Sequence, residues 1–163
     1  MADPIGIDHE GYEVMTKAVS ELLNSFPGLD GRIVRFEELD NNSGIAFSAD
    51  NGALVMSERR DITDHIKQTC AFPFFLVYRS ASTRAAQKVA IQTFFDSIGK
   101  WICNEPAEVN GQEIRLESYP ELASGRKITK VTRNNSYGIE PDAKGVQDWL
   151  LPVTVEYTNE FDA

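Results

Sequence analysis

The chain has 163 residues, 42% of them hydrophobic and 25% charged, which suits one compact domain with its own core and is too short for two ordinary ones. Lys and Arg number 16 against 25 Asp and Glu, and the resulting net charge of -9 opposes condensation onto DNA or an anionic lipid surface. No apolar run approaches the roughly twenty residues of a membrane helix, and Met1-Ala2-Asp3-Pro4-Ile5-Gly6 has neither the basic region nor the apolar stretch of a signal peptide, so a soluble, non-exported protein is expected.

From Tyr12 to Phe26 the apolar residues Tyr12, Met15, Val19, Leu22 and Phe26 step by three and four, which predicts an amphipathic helix stopped by Pro27-Gly28. Three short apolar runs follow, at 33–36, 45–47 and 53–56. Asn51-Gly52 between the last two tolerates positive φ, so an antiparallel meander with a tight hairpin is expected. Ser57 to Thr69 is polar and reads as a connection with one short helical turn from Thr63.

The run Phe72-Pro73-Phe74-Phe75-Leu76-Val77-Tyr78 has no helical spacing and apolar residues on both faces, as a central strand covered above and below would have; Pro73 belongs near its start, where a ladder donor can be spared. The helix after it buries Ala90, Ile91, Phe94, Phe95, Ile98, Trp101 and Ile102. Residues 104–126 are rich in Glu, Pro, Asn, Gly and Ser and read as a long excursion with at most a short hairpin at Asn110-Gly111. Ile128 and Val131 mark a further strand, 134–145 a second exposed loop, and Trp149 to Tyr157 alternates with period two. The expected fold is α+β, a mostly antiparallel sheet with two amphipathic helices packed on one face, in a single domain over residues 1–163.

Residues with chemical potential each have a plainer role. Asp61, Asp64 and His65 could ligate a divalent ion, but they lack the alternating oxygen ligands and glycine of a calcium loop and a histidine partner at helical spacing, so a solvated loop is expected. Ser80, Ser82 and Thr83 follow the central strand without a Gly-x-Ser-x-Gly frame and suit helix capping. Cys70 and Cys103, with only His9 and His65 as imidazoles, have no zinc-type spacing; they read as buried reduced thiols, with a disulfide between the adjacent strand and helix as the alternative. The glycines are scattered among turns and form no phosphate loop. No catalytic, metal or cofactor residues are assigned.

The string Phe74-Phe75-Leu76-Val77-Tyr78-Arg79, a helix closing on Ile98-Gly99-Lys100-Trp101-Ile102, then Ile128-Thr129 and a final Trp149-Leu150-Leu151-Pro152-Val153-Thr154-Val155-Glu156-Tyr157 resembles the minor capsid or tail-terminator (tail completion) proteins of long-tailed bacteriophages, over roughly the C-terminal two thirds. The resemblance implies a small α+β domain forming a hexameric ring that ends tail-tube growth and joins the tail to the head connector. It implies no enzymatic activity, no cofactor, location in the virion after assembly in the host cytoplasm, and as partners copies of itself, the tail-tube protein and head connector proteins, with no membrane. DNA would pass an acidic wall without specific binding. Glu105, Glu108, Glu113 and Glu117 would belong to a mobile partner-contact loop. The alternatives are another connector component, an adaptor or stopper, and a small cytosolic ligand-binding domain or enzyme with a pocket near Asp64, His65 or Tyr78.

Overall fold

Two long alternating strands form the centre of the molecule, which a computed structural model describes for residues 3–81 and 84–163. In chain order the elements are β1 (Gly6–Ile7), α1 (His9–Asn24), a 3₁₀ turn (Pro27–Leu29), β2 (Val34–Phe36), β3 (Gly44–Ala49), β4 (Leu54–Arg60), β5 (His65–Ser80), α2 (Ala85–Ile102), β6 (Ala107–Val109), β7 (Gln112–Ile114), β8 (Arg126–Arg133), β9 (Tyr137–Gly138) and β10 (Gln147–Asp162). β5 and β10, 16 residues each, pair antiparallel along their whole length, from Ser80 opposite Gln147 to His65 opposite Asp162. β3 and β4 pair with the free side of β5, β8 and β9 with that of β10, β1 joins β4, and β2 runs parallel to β3.

The register sets Cys70, Phe72, Phe74 and Leu76 opposite Tyr157, Val155, Val153 and Leu151, all buried on one face. Met15, Val19, Leu22 and Leu23 of α1 and Ile91, Phe94, Phe95, Ile98, Trp101 and Ile102 of α2 join the same core. Each such side chain contributes about 1.5–3 kcal/mol when fully buried. The architecture is therefore the expected α+β fold, a mostly antiparallel sheet with both helices on one face.

Several expectations are corrected. The central strand is not covered by helices on both faces: among the described residues both helices lie on one side, and Phe75, Val77, Leu150 and Pro152 are only half-buried on the other. The polar stretch before the central strand is not a connection with a helical turn; Lys67, Gln68 and Thr69 lie within β5, paired with β4 on one side and β10 on the other. Backbone pairing on both sides makes that segment a strand without an apolar face. Asn51 and Gly52 adopt the positive φ expected, 67° and 71°, yet no hairpin forms. β3 and β4 instead lie end to end along β5, because its length offers both a partner.

The prolines explain where these flanking edges break. Pro73 sits in the interior of β5, not near its start, and its carbonyl accepts from Asp50 N at 2.9 Å. In an antiparallel ladder a residue's N–H and C=O point to the same neighbour, so the missing Pro73 donor faces the gap between β3 and β4. Pro152 in β10 repeats the device: its carbonyl accepts from Asn134 N at 3.0 Å, opposite the gap between β8 and β9.

Candidate functional site

The two ends of the β5–β10 ribbon carry different chemistry. At the end of β5, a cavity of about 730 Å³ opens between the loop after β2 and the approach to α2, lined among others by Arg32, Ile33, Arg35, Leu39, Tyr78 and Arg79. Arg79 grips Asp148 through Nε–Oδ1 at 2.7 Å and Nη2–Oδ2 at 2.9 Å, a fork that fixes the guanidinium. Arg35 lies 3.6 Å from Asp40. Arg32 donates to the Leu29 and Gly28 carbonyls and to Tyr78 Oη at 2.9 Å, and its guanidinium lies 5.0 Å from the Phe94 ring centre. All of its hydrogen-bond partners are neutral oxygens, so its charge remains available to an acidic group.

At the other end, the Asp61–Asp64 turn joins β4 to β5. Asp61 Oδ1 accepts from Thr63 N at 2.8 Å, Thr63 Oγ1 at 2.7 Å and His65 N at 3.0 Å; the Thr63 hydroxyl foremost, then these amides, hold its carboxyl below the usual range. Asp64 faces Arg60 at 3.8 Å. His65 lies between Asp162, 2.9 Å from Nδ1, and Glu160, 3.2 Å from Nε2, and these carboxylates raise its pKa. Asp61, Asp64 and His65, within five positions of one another, thus have different partners. Among the described residues no group of three or more His, Cys, Asp or Glu side chains is arranged to hold a metal. Asp64 and His65 stand at one end of β5 and Tyr78 at the other, so a single pocket cannot draw on both.

The four loop glutamates are held in different ways. Glu105 bonds Arg133 Nη1 at 2.5 Å, Glu108 and Glu113 face each other across the β6–β7 hairpin, and Glu117 lies exposed beyond it. The segment that carries them packs on the body: Ala107 is buried, Val109, Ile114, Leu116, Tyr119 and Leu122 pack on the core, and Tyr119 Oη donates to the Ile102 carbonyl at 2.9 Å. Its scattered apolar residues, one every two to five positions, supply the anchorage that its low apolar density concealed.

Ser80 lies buried at the end of β5, and Ser82 and Thr83 fall outside the described residues. The N-cap of α2 is Arg84, without a side-chain cap bond. Cys70 is buried and Cys103 half-buried, both free thiols; burial pushes Cys70 up to about 11.

Sequence reasoning missed a buried polar cluster around Asp8. Asp8, at the N-cap of α1, accepts from Arg126 Nη2 at 2.6 Å and Nε at 3.0 Å, from Tyr157 Oη at 2.7 Å and from Gly11 N at 3.1 Å. Burial alone would push its carboxyl up, and the bonds from Arg126 and Tyr157 more than reverse this. Asp8 before an apolar-periodic run is a legible capping signal, but nothing local names partners 118 and 149 residues away. Among the described residues no fully buried side-chain nitrogen or oxygen lacks a hydrogen-bond partner, and the cluster ties α1, β8 and β10 together. Compared with protein-family models and with curated proteins, the sequence gives no match.

Proposed function

We propose that the protein is a non-enzymatic virion assembly component of the tail-terminator kind, a ring-forming chain that closes the tail tube and joins it to the head connector. The observation that supports this reading most is the one-sided sheet. Both helices pack on one face, while the other presents Phe75, Val77, Leu150 and Pro152 half-buried on a wide, stiff platform. Such a face stays partly wet in a lone chain and is suited to contact with further chains. The -9 charge fits a wall along which DNA slides without adhering.

Electron microscopy of the protein mixed with tail tubes tests this: density capping tube ends is expected, and tubes with bare ends at saturating protein would refute it. Capping of the head connector instead would favour the adaptor or stopper role. A second reading, a domain binding a small acidic ligand, is favoured by the cavity beside Tyr78. Calorimetric titration with inorganic phosphate and a dicarboxylate checks it, with Arg32→Ala abolishing any heat.

A further inference from the structure

We propose that the Asp61–Asp64 turn of one copy docks into the arginine-rimmed cavity of the next, with Ile62 on its apolar lining and Asp61 and Asp64 facing Arg32 and its neighbours. The inference rests on reading the protein as a self-assembling ring component and names the contact that would join its copies.

Ile62 is 103% exposed at the apex of the turn. A lone exposed isoleucine is unremarkable, but this one is held out by a preformed turn: the Asp61 carboxylate takes three hydrogen bonds, and the Asp64 carbonyl accepts from Ala163 N at 2.9 Å. Rigidity of that kind lowers the entropy lost on docking. The turn belongs to an arm of three strand ends, from β4, β5 and β10, where the acids Glu58, Asp61, Asp64, Glu160 and Asp162 outnumber the basic Arg59, Arg60, His65 and Lys67, with Asp64 facing Arg60 and His65 facing Glu160 and Asp162.

The cavity at the other end is complementary. Ile33, 67% exposed, with Leu39 and Tyr78 gives it apolar lining. Arg32, Arg35 and Arg79 line it beside Glu38 and Asp40; Arg35 is paired with Asp40 and Arg79 with Asp148, so the charge open to a partner is that of Arg32, which has no acid among its hydrogen-bond partners. Its volume of about 730 Å³ lies within the about 300–1,000 Å³ of pockets that enclose a whole ligand, so it has room for a turn and not only one side chain. The two surfaces sit at opposite ends of a ribbon roughly 50 Å long at about 3.3 Å per residue. They cannot meet within one copy, and a head-to-tail contact between copies closes into a ring when the rotation allows.

Two substitutions at exposed positions test the contact without threatening the fold, which circular dichroism verifies: Ile62→Asp removes the tip and Ile33→Asp spoils the cavity. In sedimentation at the highest soluble concentration, the unaltered chain is expected to grow beyond dimer and each variant to stay monomeric. An equimolar mixture should give a 1:1 dimer that grows no further, since one partner keeps the cavity and the other the tip. Variants that assemble like the unaltered chain, a mixture that stays monomeric, or an unaltered chain monomeric throughout each overturn the proposal. Tube microscopy separates the two ideas. Capping by both variants would sink the tip contact and leave the terminator reading intact; tip-in-cavity association without capping would do the reverse.

Discussion

Two acid–base clusters lie within a few residues of each other on β10 and behave in opposite ways. Tyr157 meets Asp8 and Arg126 inside the body, with the Asp8 and Arg126 side chains 6% and 4% exposed, whereas Glu160 and Asp162 meet His65 at the solvated end of the arm. Both join residues about a hundred positions apart. The difference lies in water: a buried charge left unpaired keeps its full desolvation cost, and an exposed one is rehydrated at once.

The sharpest way to break the comparison is Arg126→Met, which strands the Asp8 carboxylate in the core. A loss of about 3–5 kcal/mol is expected from urea unfolding, as for other buried pairs cut on one side. Asp8 in the intact protein has a lowered pKa, so its contribution is present above the ordinary value near 3.8 and is lost as pH falls through the folded value. In Arg126→Met the carboxyl is pushed upward, so the acid limb of the stability profile should move to higher pH.

Tyr157→Phe removes one donor to a charged acceptor and should cost about 1.5–3 kcal/mol by the same measurement. Asp8 then keeps Arg126 and the Gly11 amide. Gly11→Ala is a smaller and more pointed test. Alanine in a helix ordinarily gains about 1 kcal/mol over glycine, but a Cβ at Gly11 would stand 2.1 Å from Asp8 Oδ2 and 2.7 Å from Tyr157 Oη. Overpacking at about 1–3 kcal/mol outweighs the gain, so a net loss on the order of 1 kcal/mol is expected, and a stabilised variant would contradict the geometry.

The smallest effect belongs to the exposed cluster. His65 has a raised pKa, so its contribution is complete below about 6.5 and disappears as pH rises through the folded value. His65→Gln should flatten that alkaline limb of the urea midpoint without moving the acid limb. High salt should do the same.

Legibility in the sequence followed periodicity. The helix around Met15, Val19 and Leu22, the helix ending at Trp101, and the strand Trp149 to Tyr157 each carry a repeat that burial on one side imposes, so they could be read residue by residue. β5 before Phe72 could not, since Lys67, Gln68 and Thr69 are held by backbone pairing and leave no apolar signature. Pro73 and Pro152 were visible, yet their meaning, a gap in the neighbouring edge, needs the neighbour. At the candidate site, Tyr78 was visible at its strand end. Its companions Arg32 and Arg35 were not, because Arg32 just precedes β2 and Arg35 lies within it, a strand brought alongside only by its pairing with β3.

By itself the chain determined the two helices, the apolar strands and most of the core residues they carry, since these depend on neighbours a few positions away. Tertiary structure alone decided that Asn51-Gly52 continues an edge instead of reversing it and that Asp8 closes on Arg126 and Tyr157. Those outcomes turn on which distant groups share the low-dielectric interior, and a carboxylate, an amide or a proline carries no local mark of the partner it will meet there.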